Sequence, residues 1–197
     1  MLENDFYLNQ PQIVFGFHGC EKAIRDKILN SPKEHLKKSE NPYDWLGRGI
    51  YFWLNDPVRA LEWAMQQKKK EPAVIGAVIQ LGDCLNLCER SSVMYLTHAY
   101  EILHNELEKQ GLTMKENRAP DAGGYMLLRD RDCAVIERLH FELEEKGVKG
   151  FDTVYGYFQE GKDAYPGAGI KEKTHIQICV RNVNCIKGYF LPREVEN

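Results

Sequence analysis

Three short stretches carry the side chains best suited to chemistry, and none of them pairs a nucleophile with a base. The first is Gly47-Arg48-Gly49-Ile50-Tyr51-Phe52-Trp53. Two glycines around one residue let the backbone take positive φ or pass close to a ligand, and the four residues that follow favour a strand. Rings at the start of such a strand can stack on a flat ligand, or they can be the buried side of an ordinary core strand. The second stretch is His18-Gly19-Cys20, in which His18 can bond a ligand or simply satisfy nearby backbone. Cys20 suggests a thiol nucleophile, but neighbours on a strand point apart, so a Cys-His pair is not expected. The third is the alternation from Thr174 to Val180: Ile176, Ile178 and Val180 share one face, and His175, Gln177 and Cys179 share the other. His175 and Gln177 can therefore act on one ligand, although a histidine there can equally be structural.

The elements that must position these residues are readable in outline. Alternation from Gln12 to His18 predicts a strand, ended by a His-Gly turn, then a helix over Glu21–Asn30 that stops before Pro32. The polar, proline-containing run from Ser31 to Leu46 reads as an exposed loop leading to the central turn. Asp56-Pro57 starts a helix that runs to about Lys69, with Ala60, Leu61, Ala64 and Met65 inward, Trp63 looking back towards Tyr51, and Arg59, Glu62 and Gln66 in water. Ala73–Leu81 is an apolar run expected as a buried strand. Ser91 or Ser92 is expected to cap a long helix with the stripe Leu96, Ala99, Tyr100, Leu103 and Leu107, closing at Gly111. Leu112–Asp130, with Pro120, Gly123 and Gly124, reads as a loop, and Asp132–Lys146 as an amphipathic helix ended by Gly147. Phe151–Phe158, Thr174–Val180 and Cys185–Leu191 are the last strands, the first two separated by a loop from Gln159 to Lys173.

Composition excludes several classes. The chain has 197 residues, a formal net charge of −3, 28% charged and 43% apolar residues, which fits one globular domain over 1–197. Bulk attraction to nucleic acid or anionic membrane is not indicated, and Lys37-Lys38 and Lys68-Lys69-Lys70 read as solvated faces. Met1-Leu2-Glu3-Asn4-Asp5 is acidic where a secretory signal is basic, and no long apolar run follows, so a cytoplasmic location with no membrane partner is expected. The six cysteines are scattered, and Cys84-x-x-x-Cys88 has no matching pair at finger-like spacing. No metal site is expected. His98 and His104 ride on the long helix without ligand partners at matching spacing.

His18-Gly19 on a first strand, Gly49-Ile50-Tyr51-Phe52 before a helix bearing Trp63, and a late strand preceded by a loop together resemble an ADP-ribosyltransferase catalytic domain. The branch resembled is the one with a His, a Tyr and a Glu on three strands, which includes diphtheria toxin and the poly(ADP-ribose) polymerases. The resemblance implies an α+β fold with a split, twisted β core flanked by helices and an NAD cleft between the halves. It implies NAD as substrate: His18 would bond the adenosine ribose, the Gly19 backbone the nicotinamide amide, and Tyr51 would stack on the nicotinamide ring. Gly49 would let the chain pass close to the nucleotide, Trp63 would take the place of the family's second aromatic, and His175 would be a second functional side chain on the late strand.

The sequence departs from the pattern at Gln177, where the family has its glutamate. Breaking the nicotinamide–ribose bond leaves positive charge on the sugar, which a carboxylate stabilises and an amide only orients. Mono-transfer to a protein or nucleic-acid acceptor therefore fits better than polymer formation. Glu160, Asp163 and Glu172 in the preceding loop could supply a carboxylate or be solvated charges. A toxin or conflict effector, with an antitoxin or immunity partner, would suit a short transferase. Three alternatives stay open: a non-catalytic module binding NAD or ADP-ribose; an RNA 2′-phosphotransferase of the same fold, for which Arg48 would hold phosphate; and a plain interaction protein in which Tyr51, Trp53 and Trp63 are simply core.

Overall fold

The computed structural model describes residues 13–119 and 126–193, and it has the expected α+β class. Pro120, Gly123 and Gly124 and the first residues of the chain lie outside the described residues. The element order is β1 (Ile13–Glu21), α1 (Lys22–Leu29), β2 (Ile50–Leu54), α2 (Pro57–Gln66), β3 (Pro72–Gln80) and β4 (Cys84–Asn86). Then come α3 (Arg90–Lys109), α4 (Asp130–Glu145), β5 (Thr153–Phe158), β6 (His175–Val180) and β7 (Ile186–Phe190).

The seven strands form one sheet in the order β4-β5-β6-β2-β1-β3-β7, and its weakest joint lies in the middle. β1 pairs with β3 at nine positions, from Ile13 opposite Gln80 to Glu21 opposite Pro72. With β2 it pairs at only two, Gly16 with Leu54 and Phe17 with Trp53. From His18 onward the two strands diverge, and the half β4-β5-β6-β2 opens away from β1-β3-β7. Beside the start of β2, Ser39 replaces β1: its amide donates to the Gly49 carbonyl at 2.7 Å and its carbonyl accepts from Gly49 at 3.1 Å.

Apolar side chains fill both faces of this sheet. Phe52, Ile75, Ile79, Ile178 and Val180 form the core on the side covered by α1. On the other side Leu46, Leu85, Val154 and Cys179 pack under α3 and α4 through Ala99, Ile136 and Leu139. Trp53, Ala60 and Val74 join α2 to the same side nearer β1.

Several sequence-based expectations are corrected here. The first strand does not end in a His-Gly turn: it continues through His18 and Gly19 to Glu21, and α1 follows without a turn. Neither Ser91 nor Ser92 caps α3, which already begins at Arg90 behind Glu89. The loop after α1 is not simply exposed, because Leu36 and Leu46 are buried in the two cores. α2 is rotated from its expected pose: Arg59 is buried and Met65 exposed. The cause is Gly19. A Cβ there would stand 2.0 Å from the Ala60 carbonyl oxygen, so the helix backbone rests directly on the strand and turns Arg59 inward. The expected Asp56 cap is present, accepting from the Arg59 amide at 2.8 Å. The strand β4 has no forecast counterpart, since three residues are too few to show a period.

Candidate functional site

The divergence of β1 and β2 opens a cleft of about 470 Å³, a size typical of small-molecule sites. His18, Tyr51 and Gln177 all line it, from the adjacent strands β1, β2 and β6. The alternation forecast for β6 is observed: Ile178 and Val180 enter one core, Cys179 the other, and Gln177 faces the cleft beside Cys179.

His18 sits in the gap itself. Its Nδ1 lies 2.7 Å from the Tyr51 carbonyl oxygen, a bond that places the proton on Nδ1 and leaves Nε2 as an acceptor. Its ring meets Phe52 at 5.9 Å and Trp63 at 6.3 Å. Burial pushes its imidazole below the usual histidine value, although the Tyr51 bond works the other way. The cleft-side histidine is therefore neutral at physiological pH. Period-two alternation also fixes the backbone around it. The Phe15 carbonyl accepts from Asn55 on the β2 side, so Phe17 and Gly19 turn their N–H and C=O to that same side. At Gly19 β2 has already diverged.

Tyr51 closes the floor. Its hydroxyl accepts from the Leu46 amide at 2.8 Å and donates to the Gly47 carbonyl at 2.5 Å, which ties the ring to the central turn. Desolvation raises its phenol well above the usual value, so it stays protonated. The turn needs its glycines: Gly47 has φ +76°, and a Cβ at Gly49 would stand 2.5 Å from Cys179 Sγ. Glu137 of α4 clamps the turn, accepting from the Arg48 amide at 2.8 Å and from the Arg181 guanidinium at 2.5 Å. Burial alone would raise the Glu137 carboxyl; these bonds hold it below the usual carboxylate range.

Gln177 is fixed from behind by His175. The buried imidazole has Nδ1 2.6 Å from the Lys173 carbonyl, and its Nε2 lies 3.0 Å from Gln177 Nε2. With the proton on Nδ1, Nε2 accepts from the amide, and Gln177 Oε1 is left as the group presented to the cleft. Desolvation lowers the His175 pKa, which keeps it neutral for this task. His175 itself does not line the cleft; it stacks on Trp45 at 6.1 Å and supports Gln177. Gly19, expected at the nucleotide, does not line the cleft either; the Ala60 carbonyl lies against it. Trp63 does line the cleft, but it meets His18 and Trp53, at 5.8 Å, rather than Tyr51.

One lining group, Arg59, escaped the sequence reading, and of the three loop carboxylates weighed there only Glu160 lines the cleft. Arg59 donates to Glu160 Oε2 at 2.7 Å, and its guanidinium lies 5.7 Å from the Trp53 ring. Helical periodicity assigned Arg59 to water, and nothing in the loop composition distinguished Glu160. Trp53 Nε1 and Arg59 Nε are sealed from solvent with no hydrogen-bond partner among the described residues. Asp163 and Glu172 point elsewhere: Asp163 bonds Lys171 at 2.5 Å and Glu172 accepts from the Lys162 amide at 3.3 Å. Arg48, expected near a phosphate, is exposed and does not line the cleft; its backbone serves the turn.

Among the described residues there is no cluster of His, Cys, Asp or Glu able to hold a metal, and no helix is long and apolar enough to cross a membrane. No protein-family model, curated protein or solved structure matches the chain.

Proposed function

We propose that this cleft binds a nicotinamide dinucleotide and that the protein belongs to the class of transferases that break its ribose–nicotinamide bond. More particularly, the protein is a mono-ADP-ribosyltransferase that uses NAD as substrate and modifies a macromolecular acceptor. The observation that carries this reading is the convergence of His18, Tyr51 and Gln177, far apart in the chain, on one cleft at the split of the sheet. A carboxamide needs one donor and one acceptor, and this reading assigns them to the amide and carbonyl of Gly19, next to His18 and turned to the β2 side of β1. The Tyr51 ring suits stacking on the pyridinium. His18 Nε2 and Gln177 Oε1 are acceptors for ribose hydroxyls, and the bond to His175 fixes the second of them in orientation.

The neutral Gln177–His175 pair also favours a second reading, a module that keeps the nucleotide cleft without turnover, because an amide offers the developing sugar cation no formal charge. One experiment separates the two. Calorimetric titration with NAD is expected to show binding to wild type and at least about tenfold weaker binding to Tyr51→Ala, about 1.4 kcal/mol or more. Nicotinamide release is followed by chromatography in the same samples with cell lysate added. Release supports the transferase, binding without release supports the module, and absence of binding overturns both.

A further inference from the structure

Resting on the transferase reading, we infer that Glu160 supplies the carboxylate that Gln177 lacks, standing against the sugar as the nicotinamide bond breaks. Glu160 follows β5 by two residues, lines the cleft, and its side chain is only 14% exposed. Arg59 holds it through Oε2. Among the described residues its other oxygen, Oε1, takes no hydrogen bond, and it is not sealed from solvent, so it is free to meet a ligand in the cleft that Glu160 lines. An oriented carboxylate with one oxygen tied to a buried arginine and one free is what electrostatic stabilisation of a nascent cation requires.

The other acidic groups are committed elsewhere. Asp44 is the second carboxylate of the cleft, but Oδ1 accepts from Ser39 Oγ at 2.9 Å and Oδ2 from the Asn41 amide at 3.0 Å, both within its own loop. Asp163 and Glu172 are outside the cleft. The charges of Arg59 and Glu160 both act on the His175 imidazole, in opposite directions, which puts them beside the side chain that holds Gln177.

The step balances without a further reagent. The C1′–N bond breaks, its electron pair goes to the pyridinium nitrogen, and neutral nicotinamide leaves. Positive charge then spreads over C1′ and the ring oxygen, facing Glu160 Oε1. An oxygen or nitrogen of the acceptor, or of water in its absence, bonds to C1′, and its proton passes to Glu160. Gln177 orients the ribose hydroxyls, and Arg59 is a positioning residue for Glu160.

The test is nicotinamide release from NAD by the full chain, with NAD affinity read separately by calorimetry. Glu160→Gln is expected to lower the maximal rate by about 100-fold, the usual scale for losing one preorganised electrostatic group, with NAD affinity within about threefold of wild type. Asp163→Asn, on the same loop, is expected to turn over normally. Because Glu160→Gln leaves buried Arg59 short of a counter-charge, the double variant Glu160→Gln, Gln177→Glu guards against a folding artefact. It returns a carboxylate to the cleft and is expected to regain at least tenfold in rate over the single variant. As a second rescue, Glu160→Ala is expected to regain release when sodium formate is added. Undiminished release by Glu160→Gln, or failure of both rescues in folded variants, overturns the role of Glu160. Failure of wild type to release nicotinamide overturns the transferase reading, and this role falls with it.

Discussion

At the scale of single residues, His18, Tyr51 and Gln177 bring neutral polar groups to the cleft, each held by hydrogen bonds to its neighbours. The Tyr51 hydroxyl is the most heavily used of them, since it accepts from Leu46 and donates to Gly47 while its ring faces the cleft. Two functions of one side chain can be separated by substitution. Tyr51→Phe keeps the ring and leaves a buried amide and carbonyl without their partner. It is expected to cost about 2 kcal/mol in chemical denaturation while changing NAD affinity less than Tyr51→Ala does. Equal loss of affinity in both variants would mean that the turn, not the ring, governs binding. The His175–Gln177 contact has a similar logic. A glutamate at position 177 would face the Nε2 lone pair, so His175 would need a second proton; glutamine and a neutral histidine are a matched pair.

At the scale of elements, the site depends on how α2 lies on β1. The Ala60 carbonyl passes over Gly19 where no side chain fits, and the same contact brings Arg59 and Trp63 to the cleft. Gly19→Ala must push the helix away. It is expected to destabilise the fold by about 3 kcal/mol, near the upper end of overpacking costs, and to weaken NAD binding as well. A variant with unchanged midpoint would show that the helix slides without cost. This contact also marks the limit of what the sequence reveals. His18, Tyr51, Gln177 and the face of β6 were legible because strand alternation and a glycine-framed aromatic run are local signals. Arg59 was not, because helical periodicity gives a stripe but not the rotation of the helix on its sheet, and a backbone-to-backbone contact shifted that rotation. Glu160 stood level with Asp163 and Glu172 for a different reason: one carboxylate in a charged loop carries no mark of its distant partner. The splay of β1 from β2 is likewise a long-range property that neither strand encodes alone.

At the scale of the whole molecule, three histidines couple stability to pH. Burial lowers the pKa of His18, His140 and His175 below the ordinary 6.5. In the unfolded chain each titrates near that ordinary value, so as the pH falls below it the unfolded state takes up protons that the folded state refuses. The stabilisation is therefore complete at neutral pH and is lost on acidification through the range below about 6.5. Calorimetric melting between about pH 8 and pH 5.5 is expected to show Tm falling over this interval, with a shallower fall for His140→Leu. A flat profile would mean that the folded chain takes up protons at the three rings as readily as the unfolded chain does.

The order of the strands has a consequence for how the molecule is made. β6 inserts beside β2, pairing Tyr51 with Cys179, and β7 beside β3, pairing Ala77 with Tyr189. Both halves of the sheet thus wait for strands from the far end of the chain, and such long-range pairings form slowly. During synthesis the walls bearing His18, Tyr51 and Trp63 emerge well before Glu160 and Gln177. A growing chain therefore has no complete cleft until β6 has emerged and paired with β2, and whatever the protein does to nucleotide begins only after that pairing.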